Sequence, residues 1–140
     1  MKIRPFRTAD QPSVIQLWTD CGLVKPQNDP AKDIHRKLTI QPELFLVGCD
    51  SEGNIIASIM GGYEGHRGWI NYLAVHPDQQ RKGYARQLMD NIEKRLREMG
   101  CPKINLQIRD TNREVIAFYR AIGYLEDPVI SLGKRLEKDS

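Results

Sequence analysis

A chain of 140 residues can bury one adequate hydrophobic core, so the sequence is read as a single domain over 1–140. With 40% hydrophobic and 28% charged residues it has the balance of a soluble globular protein, which excludes a disordered chain. No apolar run is long enough to span a bilayer, "MKIRPFRTAD" lacks a secretory apolar core, and a net charge of +3 does not imply a nucleic-acid partner. Cys21, Cys49 and Cys101 are odd in number and form no CxxC pair, so idle thiols in a reducing cytoplasm are expected.

The elements follow in chain order. "KIRPF" reads as an edge strand, because Pro5 has no N–H to give a central one. Thr8 with Gln11 makes a capping box for a first helix carrying Val14, Ile15, Leu17 and Trp18 at helical spacing, ended by Gly22. Asp29-Pro30 is a cap followed by proline at the first helical position, so a second helix is expected to run to Ile40, before Pro42. "LFLVGC" and "IIASIMGGY" flank the turn formers "DSEGN" and read as an antiparallel hairpin. "HRG" turns into the strand "WINYLAV". The longest helix follows, with Ala85, Leu88, Met89, Ile92, Leu96 and Met99 on one face and Gly100 as its stop. "KINLQI" reads as a strand, Thr111 with Glu114 as a second capping box, "VIAFYRAI" as a helix ended by Gly123, and "VISLGKRL" as a last strand. The order β-α-α-β-β-β-α-β-α-β predicts an α/β (α+β) mixed sheet with helices on both faces.

The stretch "QQRKGYARQL" joins the carboxyl end of "NYLAV" to the start of the longest helix. Ligands of open α/β sheets gather at such ends, where a helix offers unsatisfied N–H donors and partial positive charge. Gly83 lets a phosphate approach the backbone, Ala85 is nearly as small, and Arg81, Lys82 and Arg86 surround the position with positive charge. Neither GxxxxGK[ST] nor GxGxxG occurs, so the ligand is expected to be phosphorylated but neither a magnesium nucleoside triphosphate nor NAD. The three histidines and three cysteines have no metal-ligand spacing, and no metal is expected.

"LAVHPDQQRKGYARQLM" resembles the acetyl-CoA signature of the GNAT N-acetyltransferases, Q/R-x-x-G-x-G/A at a helix start, here Gln80-Arg81-Lys82-Gly83-Tyr84-Ala85. "LQIRDTNREVIAFYRAIGY" resembles the second family block, with Asn112 seven residues before Tyr119 and then Gly123-Tyr124. "NDP", "MGGYEGHRG" and "LGKRL" look like a small bacterial member. The resemblance covers the whole chain. It implies the GNAT fold, a mostly antiparallel central sheet with two splayed parallel strands, and transfer of acetyl from acetyl-CoA to a primary amine. By the same resemblance the backbones of Leu73, Ala74 and Val75 would bond the pantetheine arm, and an amide near Leu73 would steady the oxyanion. Residues Arg81 to Arg86, Tyr84 among them, would hold the pyrophosphate. Asn112 would meet the pantetheine or acetyl end, and Tyr119 would protonate the departing thiolate. The implied partners are acetyl-CoA and a small-molecule amine or peptide acceptor, with no nucleic acid and no membrane; a homodimer is compatible with the sequence.

One departure matters. Related enzymes carry a glutamate five residues before the asparagine, where this chain has Gln107, or a carboxylate on the first splayed strand, where it reads Ile70, Asn71, Tyr72. Neither amide can take a proton from an ammonium, so the base comes from elsewhere, with Glu64 and His66 the nearest ionisable groups, or water chains serve, or the amine binds already neutral. Each singled-out residue also has a plainer reading. Gly61-Gly62 is a bulge or a close approach of substrate. His76-Pro77 ends a strand, Trp18 and Phe118 are core, Trp69, Tyr72 and Tyr63 either pack or shape an acceptor pocket, and Tyr119 could be a packing residue. A CoA-binding regulatory module and a basic nucleic-acid binder are the competing functions; 21 cations against 18 anions speak against the latter.

Overall fold

In the computed structural model, which describes residues 1–138, the chain forms two units, residues 1–105 and 106–138. The first holds a five-stranded sheet: β1 (Lys2–Pro5), β2 (Phe45–Cys49), β3 (Ile55–Tyr63), β4 (Gly68–Val75) and β5 (Ile104–Asn105), in that spatial order. The pairs from β1 to β4 are antiparallel, whereas β4 and β5 are parallel. Proline in β1 is tolerated because β1 is an edge. Asp50 shapes the β2–β3 turn by accepting from the N–H groups of Glu52 and Asn54, both at 2.9 Å.

Three helices complete this unit: α1 (Gln11–Asp20), α2 (Pro30–Lys37) and α3 (Tyr84–Glu98). The Asp29 carboxylate caps α2, accepting from Ala31 N at 3.0 Å and Lys32 N at 3.2 Å. That helix ends at Lys37 rather than Ile40. The Thr39 hydroxyl donates to Arg36 O at 2.7 Å, and the chain turns through Gln41, which is left-handed at φ 50. The expected box at Thr8 is displaced too. Residues Thr8–Asp10 form a 3-10 turn, and Asp10 accepts from Arg7 N at 2.8 Å while holding Arg4 at 2.7 and 2.9 Å. A carboxylate that satisfies an amide and a guanidinium together outcompetes a neutral hydroxyl.

Neighbouring residues of β3 separate the two faces of the sheet. Met60 joins Phe6, Val14, Leu17, Trp18, Ile34, Phe45 and Val47 in the core beneath α1 and α2. Gly61 faces α3, whose Leu88, Met89, Ile92 and Leu96 are buried. A Cβ on Gly61 would lie 2.7 Å from Ile92 Cγ1, and Gly61 and Gly62 pair in register with Ile70 and Trp69, so Gly61 is no bulge but a seat for the helix. Gly61→Ala is therefore expected to cost about 1–3 kcal/mol by overpacking, read as a lower denaturant midpoint, and Ile92→Ala in the same chain should recover part of it.

The second unit contains α4 (Arg113–Ala121). Its N-cap is Asn112, whose side-chain oxygen accepts from Val115 N at 3.4 Å, not Thr111. Gly123, at φ 100, closes it as Tyr124 N donates to Tyr119 O at 2.9 Å and Gly123 N to Arg120 O at 3.1 Å. The expected strand 103–108 contracts to the two residues of β5, and the expected strand over 129–136 does not form. Val129 N turns back to Asp127 O, and Ile130, Leu132 and Leu136 are exposed. Alternating apolar residues make a strand only when an edge is available to pair with them.

Candidate active site

The site is built where β4 runs into α3. Asn71 lies opposite Met60 and Ala74 opposite Ser58, so three steps along β4 match two along β3. The extra residue is a β-bulge, with Tyr72 left-handed at φ 51. On its other edge β4 is paired with β5 only at Gly68 and Trp69. From Ile70 to Val75 that edge has no ladder partner among the described residues, which leaves Leu73, Ala74 and Val75 on a strand with backbone groups to offer. Ala74 is buried and anchors the strand in the α1 core. The Val75 carbonyl is already engaged, accepting from the Cys21 thiol at 3.3 Å and from Gln80 Nε2 at 3.4 Å. Gln80 thus ties the loop back to the strand.

Beyond Val75, His76 caps a short 3-10 turn (Pro77–Gln79), its Nδ1 accepting from Asp78 N at 3.1 Å and its Nε2 lying 3.4 Å from Asp20 Oδ2. The histidine is a loop former. Arg81 (φ 65) and Gly83 (φ 80) are both left-handed, and α3 begins at Tyr84. No side chain caps α3 among the described residues, and its first internal bond runs from Gln87 N to Gly83 O at 3.0 Å. The amides of Tyr84, Ala85 and Arg86 are therefore the orphan donors of a 15-residue helix. A Cβ on Gly83 would meet nothing within 4 Å, so the approach is open. Arg81, Lys82 and Arg86 are exposed around it, Lys82 Nζ resting 2.9 Å from Gln79 Oε1. Left-handed turns, free amides and the positive helix end make an anion cradle.

Residues 12–124, which include this loop and α4, match the acetyltransferase (GNAT) family. The chain belongs to that family. It is 50% identical over 140 residues to an acetyltransferase of Sodalis glossinidius, covering 99% of this chain and 98% of that one. An acetyltransferase of Yersinia enterocolitica is 48% identical over 139 residues, with the same coverage. Among solved structures, Ard1 from Thermoplasma volcanium superposes with a TM-score of 0.77 at 28% identity, covering 89% of this chain and 82% of that one.

The other two residues of the GNAT pattern lie in the second unit. Asn112 is exposed and spends its oxygen on the α4 cap. Tyr119 is buried, with ring contacts to Phe118 (centroids 5.1 Å apart) and Tyr124 (5.5 Å). Burial pushes its phenol well above the ordinary tyrosine value, because desolvation penalises the phenolate. It stays a neutral donor.

No carboxylate stands at either of the usual family positions. Gln107 donates to the Ser131 hydroxyl, and Asn71 is exposed. Glu64 is a poor base: it accepts from His66 N at 2.8 Å and from Arg67 N, and these bonds hold its carboxyl below the usual range. It shapes the β3–β4 turn. A carboxylate that does reach β4 is Asp33 of α2, which accepts from the Tyr72 hydroxyl. Sequence reasoning missed it, because an acidic residue in the first turn of a helix reads as a partner of the helix dipole. Among the described residues no three His, Cys, Asp or Glu side chains cluster as a metal site.

Proposed function

We propose that this GNAT protein transfers the acetyl group of acetyl-CoA to a primary amine, by direct attack of the amine on the thioester. The observation that carries the reading is the uncapped start of α3, with Gly83 left-handed, three orphan amides and three exposed cations. That donor set suits a pyrophosphate, whose charge it can neutralise without a metal. In this reading Arg81 to Arg86 hold the pyrophosphate, and the unpaired edge of β4 receives the pantetheine amides as an added strand. The Leu73 N–H faces the oxyanion, Asn112 meets the acetyl end, and Tyr119 gives its proton to the departing sulfur. The amine nitrogen bonds to the carbonyl carbon, the C–S bond breaks as sulfur takes the Tyr119 proton and CoA leaves as the thiol, and the proton that the nitrogen then loses returns to the Tyr119 phenolate by way of solvent. The family match crosses the boundary between the two units, which supports treating the chain as one catalytic domain. The acceptor is a small-molecule amine or a peptide.

Calorimetry at physiological salt with EDTA present is expected to detect acetyl-CoA binding. Absence of binding at millimolar ligand would reject the reading of the loop. A panel of polyamines, amino acids, aminoglycosides and short peptides, followed by thiol release, should then contain at least one acceptor that releases CoA above background hydrolysis.

A further inference from the structure

GNAT chemistry needs a neutral amine, and no carboxylate stands at the usual family positions. The structure assigns that task to Tyr72, with Asp33 of α2 as its positioning residue and proton sink; this inference rests on the acetyl-transfer reading above. The Tyr72 hydroxyl donates to Asp33 Oδ2 and accepts from Asn28 Nδ2 at 2.7 Å. A phenol that both donates and accepts can pass a proton along. Tyr72 is the residue immediately before Leu73, and the two together form the bulge of β4.

The bulge is held at the Tyr72 carbonyl and at the Tyr72 ring. Ser58 Oγ donates to the Tyr72 carbonyl at 2.9 Å, and Trp18 Nε1 donates to Ser58 Oγ at 2.9 Å. The Tyr72 ring stacks on Trp18 with centroids 3.8 Å apart. A left-handed tyrosine persists only where its surroundings over-determine it, and such positions concentrate at functional sites. The Asp33 side chain keeps 27% of its surface exposed, so a cationic amine can reach it from solvent. A charged group facing the pair among the described residues is Arg36, 3.6 Å from Asp33 Oδ1; α1 contributes Trp18 and the α1–α2 connection Asn28, both uncharged.

The step balances. An ammonium proton moves to Tyr72 Oη as the phenol's own proton moves to Asp33 Oδ2, leaving a neutral amine to form the C–N bond. The acceptor class that fits is therefore an alkyl ammonium, protonated at neutral pH.

The test compares wild type with Tyr72→Phe and Asp33→Asn, using the fastest acceptor of the panel above. Phenylalanine keeps the stack on Trp18, and asparagine keeps an acceptor for the phenol. Both variants should lose about 10²- to 10³-fold in kcat/KM at pH 7, with acetyl-CoA affinity unchanged. The deficit should shrink as pH rises towards the amine's own pKa, where the free base needs no proton acceptor. Asp33→Glu should restore part of the rate at pH 7. A deficit that is constant across pH, or a loss of acetyl-CoA affinity, would show a purely structural role and overturn the proposal. So would near-wild-type rates in both variants. If wild type itself acetylates nothing in the panel, the acetyl-transfer reading fails first and takes this inference with it.

Discussion

Tyr119→Phe is expected to lower turnover by about 10²- to 10⁴-fold while leaving acetyl-CoA affinity nearly unchanged. The substitution removes one hydroxyl and keeps the ring, so the edge contacts with Phe118 and Tyr124 survive and α4 should remain folded. A departing thiolate is a moderate base, and a phenol within reach protonates it as the tetrahedral intermediate collapses. The sign of the Tyr119 shift matters for the pH profile. Burial raises its pKa, so the acid form, which is the useful one, persists beyond the ordinary tyrosine range. The wild-type rate should therefore show no falling limb from Tyr119 below about pH 10. Single-turnover thiol release with saturating acceptor isolates the chemical step, and circular dichroism checks the fold. A variant that matches wild type in that measurement would make Tyr119 a packing residue, with the thiolate taking its proton from water.

Local chemistry made most of the first unit legible. Asp29-Pro30 carries its own start signal, and the structure places both cap bonds there. Gly83 before a helical face signalled an open helix end, which is present, and the structure adds a left-handed turn at that glycine. The displaced caps at Thr8 and Thr111 show the limit of a four-residue pattern. Asp10 and Asn112 stood one or two positions away with side chains better suited to the geometry. The strand expected over 129–136 failed for a different reason. Alternation records which residues could share a face, but a ladder needs an edge, and the edge is a tertiary fact.

What the sequence could not disclose is concentrated around Tyr72. Its bulge follows from the mismatch of register between β3 and β4, its ring from a tryptophan 54 positions earlier, and its hydroxyl partner from a helix 39 positions earlier. None of these has a local signature, since aspartate near a helix start and tryptophan on a helix face are ordinary on their own. Ser58 is the plainest case. A serine between alanine and isoleucine in a strand reads as a weak break in the apolar run. In the fold it is fully buried and joins the Trp18 indole to the Tyr72 carbonyl. Buried polar groups cost free energy unless satisfied, so both bonds are needed to hold it there.

Gly83→Val is expected to weaken acetyl-CoA binding by about 10²-fold, the loss of roughly two charge-assisted amide bonds at about 1.5 kcal/mol each. The space around Gly83 is open, so the defect does not come from a clash within the protein. It comes from the backbone. At φ 80 a β-branched residue is strained by at least about 1–2 kcal/mol, and relief of that strain turns the amides of Tyr84 and Ala85 away from a common focus. The added methyl groups also stand where a phosphate would meet the chain. Global stability should fall by no more than about that strain, because the glycine sits in an exposed loop with no packing to lose. Lys82→Ala supplies the contrast. Its ammonium is exposed and already bonded to Gln79, and a screened surface charge should be worth less than about threefold at 0.15 M salt. Titrating both variants with acetyl-CoA, and with CoA as the acetyl-free control, separates backbone geometry from charge. Equal losses in the two variants would mean that the loop acts through its net charge alone, and a valine variant that binds like wild type would place the pyrophosphate elsewhere.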